Sequence, residues 1–541
     1  MKNSVLRSAL PALLLSALVL IPFFNKAFTI DDPVFLFEAR HALVDPLHPT
    51  AFEMTWDEKP ERVSQLVPTG PVMAWLLIPT VLADGAEWLA HATQLAMLWF
   101  AIIATVSLAQ RFGLPKPWPT ASGLILVAMP AVLGMAGTAM PDVPAMAFGI
   151  AGIERLIAWS QNRRYSQALL TALFLGIAPL TRTHQILLLG VGGILLLGPT
   201  FSLAALRNRW SAFLPLVAAL LITLAVNFIT SDPHPGAGNL AGAAIRYSSV
   251  SISQFARNAV ALPIHWVLAM AFALPWTALR WRTMLRNRLV LGAAAAGVLL
   301  SAMALAYTTY LSLPLSIIAG LGIAVLWDLF ADGWSRRDSI QLALGLWLLI
   351  ALPAVFYANL PPKYMVVSAP AAALLIAREL SSRKGKESWL ILGVTVVLGI
   401  CLGVAILRAD ATFANLGRQA AAELIAPNVA AGKRVWFVGH WGYQWYAENA
   451  GARPATLTPP YPSPGDLIVV SIASALSIRV LEEINDQFPN MTQIARIEDS
   501  RLGGRLMNKR IGAGFYSNIS GYWPWVWSDS LVDQYTVWRI E

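Results

Sequence analysis

The chain has 541 residues, of which 57% are apolar and only 13% are charged. A soluble protein carries about 25% charged residues, so this composition excludes a soluble enzyme, a disordered scaffold and a fibrous protein. The formal charge of +9 comes from basic residues in short clusters between apolar runs. Membrane orientation explains such clusters better than nucleic acid does, so we expect membrane lipids and no nucleic acid as partners. Cys401, the single cysteine, excludes a disulfide framework and a cysteine metal site.

Apolar runs near the bilayer-spanning length of about 20 residues recur along the chain and predict an all-α polytopic membrane protein with about thirteen transmembrane helices. The first run, Leu6–Phe24, follows Lys2 and Arg7 and is interpreted as an uncleaved anchor. An irregular outer loop over 25–90 contains one weaker apolar piece, Pro71–Ala83, which we interpret as interfacial or re-entrant. We place further spans at about residues 91–110, 119–136, 141–159, 166–180, 184–202, 211–230, 259–279, 288–307, 310–330, 338–357, 363–379 and 389–407.

The basic residues predict the orientation of these spans. Most Lys and Arg fall in alternate loops, such as Arg163 with Arg164 and Arg336 with Arg337, which places those loops and the N-terminus in the cytoplasm. An odd number of spans then sends the C-terminal part outside. We therefore divide the chain into a transmembrane domain, residues 1–407, and an extracytoplasmic domain, residues 408–541, and expect a multi-pass protein of a bacterial inner membrane.

Residues 408–541 have ordinary polarity and alternate possible strands with possible helices, which predicts a small α/β domain. The expected elements are strands at Arg434–Val438 and Leu467–Ile472 and helices at Ala420–Ala426 and Ile478–Asn485. An aromatic run follows, with Tyr522, Trp523, Trp525 and Trp527. It is compatible with sugar stacking, with anchoring at lipid headgroups, and with plain packing.

Charged groups inside a membrane cost about 2.5–3.5 kcal/mol on insertion scales, so ionisable residues beside a span are functional candidates. On the predicted outer side they are Asp31, Asp32, Glu38, Arg40, Asp142, Arg182, His184, Arg246, Arg257 and Lys363, with Tyr364 beside the last. All of them can converge on one outer cavity.

The adjacent carboxylates of Asp31 and Asp32 cannot both ionise freely in a partly dry site, so the pKa of one is expected to be raised, as suits a general base. The alternative is that Asp32, which precedes Pro33, only caps the next helix. Residues Pro33–Leu43 suit a short interfacial helix with Phe35–Phe37 toward lipid.

The remaining candidates each have a structural alternative. Asp142 at the start of a membrane helix is either a functional carboxylate or a helix cap, and Arg182 either binds phosphate or extends to lipid headgroups. His184 fits a hydrogen-bonded packing residue. A metal site at His41, Asp45 and His48 is possible but unsupported, because Pro46 interrupts the helical spacing.

Five short segments, in chain order, resemble the motifs of GT-C fold glycosyltransferases, a group that includes protein O-mannosyltransferases and the bacterial enzymes that add aminoarabinose or galacturonic acid to lipopolysaccharide. Asp31 to Arg40 is similar to the group's Asp-Glu-x-x-Tyr-x-x-x-Ala-Arg pattern after the first helix. The other segments are Thr69-Gly70-Pro71-Val72-Met73-Ala74-Trp75, Met140-Pro141-Asp142-Val143-Pro144, Leu180-Thr181-Arg182, and Pro362-Lys363-Tyr364-Met365 with Pro370.

The resemblance covers residues 1–410 and implies an outward cavity and a sugar donor carried on a polyprenyl phosphate. It assigns the catalytic base to Asp31 and leaves the role of Asp32 open; our own hypothesis is that Asp32 or Asp142 orients the acceptor or the base. Asp32 stands where the group usually has Glu, and Thr69 stands where Lys is common. Phosphate binding then falls to Arg182, Lys363, Tyr364 and Arg257, and the acceptor is a glycan, a lipid or a protein. The sequence supports no cofactor requirement.

Two other classes of function stay open. A transporter or lipid flippase needs ionisable groups or broken helices near the bilayer midplane, whereas these candidates cluster at one predicted surface. A non-catalytic scaffold that displays the outer domain needs no carboxylate pair. We expect loss of residues 408–541 to spare activity in an enzyme and to destroy function in a scaffold.

Overall fold

A computed structural model describes residues 2–66, 69–198, 207, 209–234, 250–306, 312–383, 385–474 and 478–541. Its α-helices are Lys2–Leu20, Asp32–Ala42, Val63–Leu66, Val72–Leu82, Glu87–Arg111, Trp118–Val127, Pro130–Ala136, Asp142–Asn162, Tyr165–Thr181, Leu188–Leu197, Leu214–Thr230, Ile252–Leu268, Ala273–Arg286, Arg288–Ala306, Leu313–Ser335, Ser339–Leu348, Ala369–Ser381, Lys386–Ala420, Ala426–Ala430, Trp441–Asn449 and Ile478–Gln487. Short 3₁₀ turns span Ile21–Phe23, Thr183–Leu187, Trp210–Phe213, Leu349–Phe356, Pro362–Ser368 and Lys509–Ile511, and Ala421–Ile425 is a π-helical turn.

Within these ranges, eight helices are long and apolar enough to cross a membrane, or up to ten if each of two bent pairs counts as one span. The polytopic helical architecture predicted from the sequence is confirmed. Two of the expected continuous spans are wrong in detail. The span at 119–136 bends by 61° before Pro130, and the span at 259–279 is broken into Ile252–Leu268 and Ala273–Arg286, which meet at 85°. Irregular backbone of this kind is tolerated at membrane depth where protein covers it.

The helix Lys386–Ala420 runs without a break through residue 408, where the sequence suggested a domain boundary. Its glycines let it lie against the neighbouring backbone: a Cβ at Gly399 would stand 1.9 Å from the carbonyl oxygen of Ala128. Residues 408–541, named the outer region after the side of the membrane that the sequence predicts for them, therefore continue directly from a packed membrane helix, with no linker between them.

The outer region contains a five-stranded sheet whose strand order is Arg453–Pro454, Val435–Val438, Leu467–Ser471, Asp533–Ile540 and Met491–Asp499. The first three strands of this order are parallel to one another. The fourth strand, Asp533–Ile540, is antiparallel to both of its neighbours, Leu467–Ser471 and Met491–Asp499. Both predicted strands and both predicted helical stretches are present. The remaining described strands form three short antiparallel pairs: Glu53–Thr55 with Pro60–Arg62, Gly503–Arg505 with Val526–Ser528, and Met507–Asn508 with Ala513–Gly514.

The helix Asp32–Ala42 is buried inside the protein, so the expectation that Phe35–Phe37 face lipid is wrong. It packs between the helices Val72–Leu82 and Trp441–Asn449. Phe37 lies 5.2 Å from the ring of Trp445. The sequence pattern missed this because the partner that covers the helix comes from the outer region, about 400 residues later.

Candidate active site

A cavity of about 360 Å³ lies where the first outer loop, the ends of several membrane helices and the outer region meet. This volume is within the range of small-molecule sites. The cavity is lined by Ile30, Asp31, Val34, Phe35, Trp56, Leu66, Arg182, Thr183, His184, Tyr357, Asn359, Lys363, Tyr364, Trp441, Met507, Tyr516, Ser517 and Ile519. Five of the residues singled out in the sequence are therefore brought together: Asp31, Arg182, His184, Lys363 and Tyr364.

Asp31 and Lys363 form an ion pair on the wall of this cavity. The Lys363 Nζ donates to Asp31 Oδ2 at 2.5 Å, and the lysine side chain is 7% exposed while the aspartate is 34% exposed. Asp31 is the N-cap residue of the helix Asp32–Ala42, but its side chain makes no capping hydrogen bond. Its carboxylate is therefore directed at the lysine and the cavity and does not cap the start of the helix.

Arg182 is held in place by Asp142. The guanidinium donates to both carboxylate oxygens, from Nε at 3.1 Å and from an Nη at 2.7 Å, and it lies 5.4 Å from the centre of the Tyr364 ring. Asp142 is fully buried at the first turn of its helix and does not line the cavity. It contacts the cavity wall through Arg182, and this planar two-point contact fixes the orientation of the guanidinium.

The residue Leu180, shortly before Arg182, packs against the motif that begins at Thr69 and Gly70. A Cβ at Gly70 would stand 2.3 Å from the carbonyl oxygen of Leu180, so only glycine allows this approach. Thr69, at the position where Lys is common in the resembling enzymes, is buried, and its hydroxyl has no hydrogen-bond partner within the described ranges. In this chain the cations of the cavity wall therefore come from Arg182 and Lys363.

Asp32 does not line the cavity and is fully buried. Its oxygens accept from the backbone amides of Thr29 at 2.8 Å and of Ala139 at 2.8 Å. Burial raises the pKa of Asp32 from 3.8 to about 7. The raised pKa expected for one member of the carboxylate pair thus falls on Asp32, which joins the first loop to the turn before Asp142. The alternative that Asp32 caps its own helix is wrong, because the N-cap residue is Asp31.

Aromatic side chains complete the wall around the cations. The Tyr364 ring lies 6.0 Å from the ring of His184 and 6.3 Å from that of Tyr357, to which it is perpendicular. The Nε2 atom of His184 is buried and has no hydrogen-bond partner in the described part of the chain. The sequence suggested a hydrogen-bonded packing role for His184, and the structure instead places the ring on the cavity wall with one nitrogen unpaired.

Other predicted residues lie elsewhere. Arg257 donates to the carbonyl oxygen of Ala358 at 2.7 Å and is not part of the cavity lining. Glu38 is buried away from the lining; its carboxylate oxygens have no hydrogen bond within the described residues, and burial raises its pKa. Arg246 lies outside the described residues.

The proposed metal-binding trio is not assembled. His48 pairs with Asp45 at 2.9 Å, whereas the ring of His41 lies against that of Phe52. Over the ranges that the structure describes, no group of three or more metal-binding side chains is present.

The outer region contributes residues that the sequence did not assign to the site. Trp441, Met507, Tyr516, Ser517 and Ile519 all line the cavity, although each is more than 400 residues away from Asp31 along the chain. No sequence motif marks them, because only the tertiary fold brings them to the cavity. Their position argues against the expectation that residues 408–541 are dispensable for an enzyme.

The aromatic run of the outer region is divided between two environments. Tyr522 is completely buried, whereas Trp527 is 59% exposed and lies 5.8 Å from the ring of Trp525. Plain packing therefore accounts for Tyr522.

No protein-family model matches the chain, and no curated protein sequence matches it. Among solved structures, it is similar to ArnT from Cupriavidus metallidurans bound to undecaprenyl phosphate, with 17% identity, a TM-score of 0.48, and coverage of 92% of this chain and 96% of that one. The apo state of the same protein gives 16% identity, a TM-score of 0.47, and coverage of 90% and 95%. Arabinofuranosyltransferase AftD from Mycobacteria gives 13% identity and a TM-score of 0.46; all of this chain matches 42% of AftD.

Proposed function

We propose that the protein is an integral-membrane glycosyltransferase that moves a sugar from a polyprenyl-phosphate donor to a glycan, lipid or protein of the cell envelope at the outer face of the membrane. The observation that carries the proposal is the composition of the cavity wall. A carboxylate, Asp31, lies within 2.5 Å of the ammonium of Lys363, and the guanidinium of Arg182 is on the same wall. A general base and cations for a phosphate are thus side by side.

In the proposed reaction an acceptor hydroxyl attacks the anomeric carbon while the bond between that carbon and the phosphate oxygen breaks. The electron pair of this bond leaves with the polyprenyl phosphate, and the hydroxyl proton passes to the carboxylate of Asp31. Lys363 and Arg182 stabilise the negative charge on the departing phosphate. Because polyprenyl phosphate is already a good leaving group, alignment and proton removal are the main tasks of the protein.

Asp142 and Asp32 have supporting roles in this proposal. Asp142 fixes the guanidinium that contacts the phosphate, and Asp32 fixes the loop that carries the base. Tyr364 supports Arg182 through its ring, and we expect its hydroxyl to donate to a phosphate oxygen. His184 lines the same cavity. Arg257 is left out of the phosphate site because its guanidinium is occupied by the carbonyl oxygen of Ala358.

The location of these groups favours an enzyme over a transporter. Asp31 precedes a helix, Arg182 separates Tyr165–Thr181 from Thr183–Leu187, and Lys363 lies at the start of Pro362–Ser368. A transport site is expected near the middle of broken membrane helices. Two spans are broken, at residues 128–129 and 269–272, but neither break lines the cavity. Here the charged groups meet at helix ends, beside the outer region.

The test uses purified full-length protein in nanodiscs with polyprenyl phosphates that carry different labelled sugars and with an envelope extract as acceptor. We expect one donor to label an acceptor and to release an equal amount of polyprenyl phosphate. The same protein in sealed vesicles controls for flipping. Movement of the donor between leaflets without release of polyprenyl phosphate would establish the flippase alternative and reject the transferase.

A further inference from the structure

The loop that carries Asp31 has no regular secondary structure of its own over residues 26–29. Its backbone amides must therefore find partners elsewhere. The amide of Ala27 donates to the side-chain oxygen of Asn415 at 3.0 Å, and that of Phe28 donates to the hydroxyl oxygen of Tyr446 at 2.8 Å. Both partners come from the last membrane helix and the outer region that follows it.

Asp410 is the charged group at the centre of this contact. Its carboxylate accepts from Lys26 Nζ at 2.7 Å and from the Thr29 hydroxyl at 3.0 Å. The Lys26 and Asp410 side chains are 0% and 1% exposed, so water does not screen the pair. Asp410 does not line the large cavity, and 384 positions separate it from Lys26.

The backbone beside the base is strained. Ile30 has a φ of 38°, in the left-handed region that a β-branched residue rarely adopts. Such a conformation is unfavourable and persists only when the surroundings impose it. Ile30 lies between Thr29, which is bonded to Asp410, and Asp31. Contacts on both sides of Ile30, from Thr29 to Asp410 and from Asp31 to Lys363, therefore restrain this conformation.

The outer region also packs closely against the backbone of the loop. A Cβ at Gly442 would stand 1.9 Å from the carbonyl oxygen of Phe28, so the helix Trp441–Asn449 begins directly against the loop backbone. Tyr516, from the same outer region, is buried between the cavity and the small pocket that Asp410 lines. Loop and outer region thus form one packed unit.

We propose that Asp410 is a positioning residue for sugar transfer: through Lys26 and Thr29 it fixes the 26–31 loop and so places the carboxylate of Asp31 in the cavity. This inference rests on the proposed function. It assigns the outer region a direct task, which is to hold the base-bearing loop in its strained conformation. Asp410 does not touch the substrate, so its effect is expected in turnover rather than in donor binding.

The principal test compares Thr29→Val with Thr29→Ser in the full-length protein. Valine has the shape of threonine but cannot donate to Asp410, whereas serine keeps the hydroxyl and serves as the matched control. Because a misplacement of about 1 Å can cost about 100-fold in rate, we expect Thr29→Val to lower kcat by about 10-fold or more. The donor KM should change by less than about twofold, since Lys363 and Arg182 are untouched. Thr29→Ser should stay within about twofold of the wild type in both constants.

Asp410→Asn is the stronger variant, and it removes the charge that pairs with Lys26. Breaking a buried pair is destabilising, so its thermal stability is measured first. In a folded preparation we expect kcat to fall at least as far as in Thr29→Val, again with donor KM retained. A kcat equal to that of the wild type in both variants would overturn the positioning role, as would a parallel rise of KM.

Amide hydrogen exchange separates this inference from the proposed function, because it needs no substrate. We expect residues 26–31 to exchange faster in Thr29→Val than in the wild type and in Thr29→Ser, while the helix Glu87–Arg111 exchanges at the same rate in all three. Unchanged exchange in the loop would overturn the inference. Absence of transfer by the wild-type protein, with the exchange difference present, would instead reject the proposed function alone.

Discussion

Replacing Asp31 with Asn should separate catalysis from folding. Asn has almost the same shape and keeps one oxygen that accepts from Lys363, but it cannot take a proton from an acceptor hydroxyl. A positioned general base contributes about 10²–10⁴ in rate, so kcat should fall by that factor. The loss corresponds to about 2.7–5.4 kcal/mol of transition-state stabilisation, at about 1.36 kcal/mol for each factor of ten.

The cost of Asp31→Asn in folding should be much smaller. Exposed ion pairs contribute about 0–1 kcal/mol, and breaking a fully buried pair costs about 3–5 kcal/mol. The pair with Lys363 lies between these cases, because the aspartate is 34% exposed although the lysine is only 7% exposed. No capping hydrogen bond is lost, since the Asp31 side chain makes none. We therefore expect the free energy of unfolding to fall by about 1–2 kcal/mol.

The assay is release of polyprenyl phosphate from a labelled donor by protein in nanodiscs, with the melting temperature measured on the same sample. Asp84→Asn is the matched control, because it makes the same charge change at an exposed position that already has a positive φ of 53°, which Asn tolerates. Turnover by Asp31→Asn within about threefold of the wild type would refute the role of Asp31 as base, since a base contributes far more.

Three further predictions follow from single contacts. Arg182→Lys should weaken donor binding by about 10-fold, because lysine keeps the charge but loses the two-point contact with Asp142 that orients the guanidinium, and with it a proposed hydrogen bond to the donor phosphate worth about 1.5–3 kcal/mol. The exposed control Arg163→Lys should leave donor KM unchanged, and an unchanged donor KM for Arg182→Lys would contradict the prediction. Burial raises the pKa of Asp32 from 3.8 to about 7, so the stability that Asp32 contributes is full below about pH 3.8 and is lost as the pH rises through 7. The melting temperature of the wild type should therefore fall from pH 5 to pH 8, and it should fall less in Asp32→Asn. Equal pH dependence in the two proteins would show that another group titrates. Gly442→Ala places a Cβ 1.9 Å from the carbonyl oxygen of Phe28 and should lower the free energy of unfolding by about 1–3 kcal/mol. The control Gly393→Ala, whose Cβ meets nothing within 4 Å, should be neutral. Equal melting temperatures of the two variants would mean that the helix Trp441–Asn449 can shift.

Local patterns were sufficient to predict the class of fold and part of the site. Hydropathy marks membrane helices strongly, because every lipid-facing turn must be apolar. The same reasoning marked Asp31, Arg182 and Lys363, since a charge beside a span is costly unless it has a task. These three residues do line one cavity. Their chemical roles are still predictions.

Features that depend on distant contacts were not predictable. The bend of 85° after Leu268 involves no proline at the break; it lies where Ala271 has a φ of 48°. Asp32 looked like a helix cap, but its second hydrogen bond is to Ala139, 107 positions away. The lining residues Met507 and Tyr516 carry no motif, and only the packing of the outer region brings them to the cavity.

The most direct test of the account is the structure of the protein in nanodiscs with undecaprenyl phosphate added. We expect the phosphate group inside the cavity, within hydrogen-bond distance of Lys363 Nζ and of the Arg182 guanidinium, with the lipid tail leaving toward the membrane. A phosphate bound outside this cavity, with Lys363 still paired to Asp31 and Arg182 facing no ligand, would contradict it.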